Sequence, residues 1–120
     1  MLGKFMVSIT HSKDNTDKAT VGFVVANGAV ASGQETVVFL STEGVRLSIK
    51  GYADDIHEEG FAPLKDLIQQ FIDAGGQIWV CSPCFKRRKL NEGELLPNTT
   101  IVGAAKAIEF LSQGAPSLTY

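Results

Sequence analysis

Gly75-Gly76-Gln77-Ile78-Trp79-Val80-Cys81-Ser82-Pro83-Cys84 is the stretch on which the reading of this 120-residue chain turns. The glycine pair stops the helix that precedes it, since glycine supplies the backbone freedom a helix end needs. Gln77-Ile78-Trp79-Val80 is short and rich in β-branched and aromatic side chains, the pattern of a buried strand. Pro83 lacks an N–H, which a first helical turn does not require, so a short basic helix is expected over about Cys84 to Leu90. Helix, strand and helix in such close succession point to an α/β unit.

Upstream, Pro63 opens the clearest helix of the chain. Leu64, Leu67, Ile68, Phe71 and Ile72 fall on one face, and Lys65, Asp66, Gln69, Gln70 and Asp73 on the other. Thr36-Val37-Val38-Phe39-Leu40 is continuously apolar, as in a parallel strand covered on both faces. A short helix carrying Val45, Leu47 and Ile49 follows it, then an acidic, solvated loop around His57. Phe5 to Thr10 reads as the first strand. From Lys18 to Ser32 the pattern is helical and apolar on most faces, with Asn15 or Thr16 as cap and Gly33 as stop. Such a helix must be covered by the core or by a subunit contact.

Downstream, residues 91–98 read as a loop and Thr99 to Val102 as a fourth strand. A helix running to Gly114 is expected to turn Ala104, Ala107, Ile108 and Leu111 inward, and Pro116 to Tyr120 is a brief last strand or a frayed tail. The alternation predicts a single α/β domain over residues 1–120, with a mainly parallel four- to five-stranded sheet and helices on both faces.

Composition narrows the function classes. Eleven basic and thirteen acidic side chains leave a formal charge of -2, which calls for neither nucleic acid nor an anionic membrane as partner. No apolar run approaches the roughly 20 residues needed to span a bilayer, and the N-terminal stretch 1–6 lacks the features of a signal peptide. A cytoplasmic location is expected, where thiols stay reduced. Two cysteines three apart then suggest redox, sulfur or metal chemistry before a structural staple.

In a sheet of this kind functional groups collect at the carboxyl ends of the strands. Cys81 ends the third strand, His11 lies just past the first, and Ser41 to Glu43 just past the second. A helix start and the cations Lys86, Arg87, Arg88 and Lys89 are expected to favour a Cys81 thiolate and make it nucleophilic. Three chemistries fit the residues, beside a non-catalytic oligomeric binding module whose cysteines have no chemistry. A dithiol–disulfide pair would use Cys81 and Cys84, although thioredoxin-like folds place that motif earlier. A metal site would draw on Cys81, Cys84, His11 and His57. A sulfur carrier would hold a persulfide on Cys81. The loop after the first strand has no glycines to cradle a phosphate, and no motif calls for a cofactor.

Over essentially its whole length the chain resembles the DsrE/DsrF-like proteins of sulfur metabolism, including the TusD and YchN types. The resemblance rests on the polar loop and apolar helix after the first strand, the Val37-Val38-Phe39-Leu40 strand, and Gly75-Gly76-Gln77-Ile78-Trp79-Val80-Cys81 followed by Arg87-Arg88. It implies a three-layer α/β/α sandwich around a five-stranded parallel sheet and a homo-oligomer, trimer or hexamer. Sulfur donor and acceptor proteins are the implied partners. It assigns sulfur acceptance to Cys81, with the basic pair Arg87 and Arg88 close by, and leaves Cys84 as resolving thiol or bystander.

Overall fold

The computed structural model describes residues 3–120; of the N-terminal stretch 1–6 read above, Met1 and Leu2 lie outside the described residues. The strands are β1 (Lys4–Ile9), β2 (Glu35–Leu40), β3 (Gln77–Cys81), β4 (Thr99–Val102) and β5 (Ser117–Thr119). The helices are α1 (Thr16–Ala31), α2 (Leu64–Asp73), α3 (Ser82–Arg87) and α4 (Ala104–Ser112), with 3₁₀ turns at Thr42–Ser48 and Glu92–Glu94. One five-stranded sheet runs in the order β4-β3-β2-β1-β5, and every neighbouring pair is parallel. The C-terminal segment is therefore a strand. The Tyr120 N–H donates to the Ser8 carbonyl (2.8 Å) and the Thr10 N–H to the Tyr120 carbonyl (2.8 Å).

This order sets the layers. Steps from β1 to β4 all move one way across the sheet, so right-handed crossovers put α1, α2 and α3 on the same face. The return from β4 to β5 moves the other way and carries α4 to the opposite face. Strand alternation divides the side chains accordingly. Val7, Ile9, Val38, Leu40, Ile78 and Val80 pack against Phe23, Leu64 and Phe71, with the Phe23 and Phe71 rings edge-on at 5.9 Å. Met6, Val37, Trp79 and Val102 pack against Ala107 and Phe110, with Trp79 and Phe110 edge-on at 5.4 Å.

Helix α1 is capped as expected, Asn15 accepting from the Lys18 N–H at 3.1 Å. It lies close to the sheet because Gly22 rests on Ile9, where an added Cβ would collide with the isoleucine side chain. Within one chain its cover is incomplete: Val24 is exposed and Val21, Val25 and Val30 are half-buried. Other expectations need correction. Helix α3 starts at Ser82 and ends at Arg87, earlier at both ends than the basic run suggested, and Lys89 turns into the left-handed region just beyond (φ 54). In α4, Ala104 is exposed and Ile108 is 63% exposed, and Phe110 takes the inward place. Ala107, Phe110 and Leu111 share a face at i, i+3 and i+4, and Ile108 sits about 100° away from Ala107. No described helix is long and apolar enough to cross a membrane.

Candidate functional site

Cys81 is both the last residue of β3 and the N-cap of α3. Ser82, Pro83 and Cys84 form the first turn, so Cys84 is carried back over Cys81 by the helical rise. Pro83 fits there because that turn's N–H groups have no helical partner. Both thiols are free and partly exposed, and both pack at the margin of the core that includes Val80 and Phe85.

The expected low thiol is not what this geometry produces. Burial pushes the Cys81 thiol above its ordinary value, and the neighbouring Cys84 sulfur adds to this by a shared hydrogen bond and by charge. The Cys84 N–H and the Arg88 charge pull the other way. That N–H leans toward the sulfur, yet no capping hydrogen bond closes by distance and angle. Two features weaken the sequence argument. A helix of six residues has a small dipole, and of the four basic side chains only Arg88 acts on Cys81. Lys86, Arg87 and Lys89 are exposed, and among the described residues none of them is in an ion pair.

Arg88 is held elsewhere as well. Its Nε donates to Glu43 Oε2 at 2.7 Å and its Nη1 to the Cys84 carbonyl at 3.2 Å. Glu43 Oε1 accepts from Arg46 Nε at 2.9 Å. Arg88 first, and Arg46 with it, hold the Glu43 carboxyl below the usual carboxylate range. Glu43 is presented by a tightly determined corner. Thr42 lies in the left-handed region (φ 51), an uncommon state for a β-branched residue, and its hydroxyl donates to the Thr10 carbonyl at 2.8 Å. Gly44 sits so close to the Ile9 carbonyl that no side chain fits.

His11 belongs to a different assembly. Its Nδ1 bonds Asp14 Oδ2 at 2.7 Å, and the Ser12 N–H donates to Asp14 Oδ1 at 2.8 Å. Burial alone would raise Asp14, but the Ser12 N–H and His11 together bring it below the ordinary value. Ser12, fully buried, shares a hydrogen bond with the Tyr52 hydroxyl at 3.0 Å. Lys13 lies over the Tyr52 ring (4.6 Å) and pairs with Asp55 at 3.1 Å. Because β2 lies between β1 and β3, the strand ends that lead to His11 and Cys81 are two strand spacings apart, about 9–10 Å. His57 Nε2 is engaged with the Phe61 carbonyl at 2.8 Å. The four-ligand set Cys81, Cys84, His11 and His57 is thus not assembled, and among the described residues no three His, Cys, Asp or Glu side chains are placed to hold a metal ion.

The structure therefore brings together Cys81, Cys84 and Arg88, adds Glu43 and Arg46, and leaves His11 and Arg87 apart. Glu43 was legible as a residue of the carboxyl edge; its bond to Arg88, 45 positions away, carries no local signal. Neither cysteine lines the clefts beside Leu47 and Ile68, between β3 and β4 at Gln77 and Thr99, or against α4 at Ile108. The thiols stand partly exposed at a helix start.

Comparison with known proteins agrees with this architecture. A family model described as DsrE/DsrF-like matches residues 3–120. The uncharacterised MJ0760 of Methanocaldococcus jannaschii is 29% identical over 109 residues, covering 91% of this chain and 39% of its own length. The chain thus spans about two fifths of that relative. MJ0989 of the same organism is 26% identical over 117 residues, 98% of this chain and 99% of its own. Two solved structures share the fold at 12% identity and a TM-score of 0.70: the ychN protein of E. coli, and MTH1491 of Methanobacterium thermoautotrophicum, a protein of unknown function. Each covers 98% of this chain and 99% of the neighbour.

Proposed function

Since the chain belongs to the DsrE/DsrF-like family, we propose that it is a thiol or persulfide carrier in which Cys81 accepts a sulfur atom and hands it on. The observation that carries this reading is a partly exposed thiol at the carboxyl end of β3, at the start of α3. A carrier needs access for another protein's sulfur more than it needs a pocket. In loading, the Cys81 thiolate attacks the outer sulfur of a donor persulfide, R–S–SH. A new S–S bond forms on Cys81, and the donor S–S bond breaks with its electron pair leaving on R–S⁻. Unloading repeats the exchange with an acceptor thiolate. A thiol that keeps its proton resists stray oxidants, and its thiolate, once formed, is the stronger nucleophile.

The exposed cations Lys86, Arg87 and Lys89 beside the thiols support donor and acceptor proteins as partners. Exposed Val24, Ile108 and Leu118 support self-association into a homo-oligomer, trimer or hexamer. A cytoplasmic setting, where both thiols stay reduced, suits the same reading. The test is to incubate reduced protein with a persulfide donor and weigh the intact chain. The unmodified protein and Cys84→Ala should gain one sulfur and Cys81→Ala none; a gain that follows Cys84 instead overturns the assignment.

The placement of Cys84 in the first turn of α3, with Cys81 as the cap of that helix, favours one second reading, a dithiol–disulfide protein. With peroxide as oxidant, Cys81 would form a sulfenic acid, releasing water once protonated. Cys84 would then displace a second water to close the disulfide. Rapid loss of two hydrogens from the intact mass under peroxide, absent in either single alanine variant, distinguishes it from the carrier.

A further inference from the structure

The ion-pair cluster beside the thiols has a role that the carrier reading does not itself require. Glu43 uses both carboxylate oxygens, one on Arg46 (2.9 Å) and one on Arg88 (2.7 Å). Arg88, only 16% exposed, spans from that carboxylate to the Cys84 carbonyl at 3.2 Å. It therefore ties the first turn of α3 to the 3₁₀ turn after β2. We propose that Glu43 is a positioning residue for the thiol site: it fixes Arg88 against α3 while neutralising the one cation that faces Cys81, and so sets how readily that thiol reacts.

The neighbourhood of Cys81 leaves few other groups to do this. From its own segment only Cys84 and Arg88 face it. The 3₁₀ turn contributes Glu43 and Arg46 through Arg88. β4 contains no titratable side chain, and Glu35 of β2 lies at the opposite end of its strand, paired with Lys4. On the α4 face the ammonium of Lys106 rests over the Trp79 ring at 5.4 Å. Arg88 acts on Cys81 less strongly than burial or Cys84 does, as expected of a guanidinium whose charge is already answered. Freed of Glu43, the same cation stabilises a thiolate more. Without Arg88, Cys81 is left with burial, Cys84 and an uncompensated carboxylate.

The inference takes Cys81 as the reacting thiol of the carrier reading, but its test reads alkylation, so the two can fail separately. In a Cys84→Ala background, the rate of iodoacetamide alkylation of Cys81 is followed against pH, with circular dichroism as the check on folding. Glu43→Gln keeps the side-chain shape and removes the charge. It should raise the rate at neutral pH by about two- to fivefold and move the midpoint down. Arg88→Gln should lower the rate by a similar factor and move the midpoint up. If Arg88→Gln does not fold, Arg88→Met replaces it, removing the charge while keeping the apolar stem, and should likewise lower the rate. A merely structural pair gives changes of the same sign in both variants, through shared loosening of α3. Same-sign changes, an unmoved midpoint, or a Cys81 that no variant makes alkylable overturns the proposal.

Discussion

At the end of β1, His11, Ser12 and Asp14 are bonded to one another and to Tyr52. At the end of β3, Cys81 and Cys84 have each other, and Arg88 reaches them only through a carbonyl and a distant charge. Both loops cap neighbouring parts of one sheet edge, and both carry residues associated with catalysis. The first uses them to tie the β1 loop to the loop around Tyr52, so that polar atoms taken out of water are paired. The second leaves sulfur half in solvent. Residue type alone does not separate the two; the fate of the hydrogen bonds does.

The contrast can be broken most severely by exchanging roles. Cys81→Ala should abolish sulfur loading as read by intact mass, while His11→Ala should leave it unchanged; loss of loading in the histidine variant would place His11 in the chemistry. Next in size, Tyr52→Phe removes the partner of the fully buried Ser12 hydroxyl. It should cost about 1–2 kcal/mol in urea unfolding with no change in Cys81 alkylation. A smaller effect is expected at the thiols. Cys84→Ala removes both influences by which that sulfur raises Cys81, so the alkylation midpoint should move down and the neutral-pH rate should rise about threefold.

The smallest effect belongs to Asp14→Asn. Because Asp14 is lowered in the folded chain, its contribution to stability is present above the ordinary carboxylate value and is lost as pH falls through the lowered one. Stability of the variant and the parent should differ slightly at neutral pH and converge in acid. A constant gap down to strongly acid pH would show that the carboxylate charge plays no part in holding this loop.

Much of the architecture is legible in the residues. Leu64, Leu67, Ile68, Phe71 and Ile72 declare α2, and Val37 to Leu40 declare a doubly covered strand, because periodicity reflects what each face touches. Ile108 misleads because it falls about 100° round the helix from Ala107, away from the face where Phe110 supplies the larger ring to meet Trp79. The Cys81 site was legible by position, at a strand end before a helix. Its electrostatics were not. A run of four cations looks like a field, but three of them face water and the fourth answers a carboxylate 45 positions upstream. Such a pairing exists only after the strands are ordered.

The two faces of the sheet are unequally built, with α1, α2 and α3 on one and nine-residue α4 on the other. Regions that bury little apolar surface open locally long before the whole molecule unfolds. Amide exchange should therefore be faster in α4 than in α1 or α2, through excursions that lift it from Trp79, while β1, β2 and α1 exchange only with global unfolding. Cys81 and Cys84 lean on the slow half. An excursion that lifts α4 thus leaves the packing under the thiol turn in place, and the accessibility of the sulfurs is unchanged by breathing on the far side of the sheet.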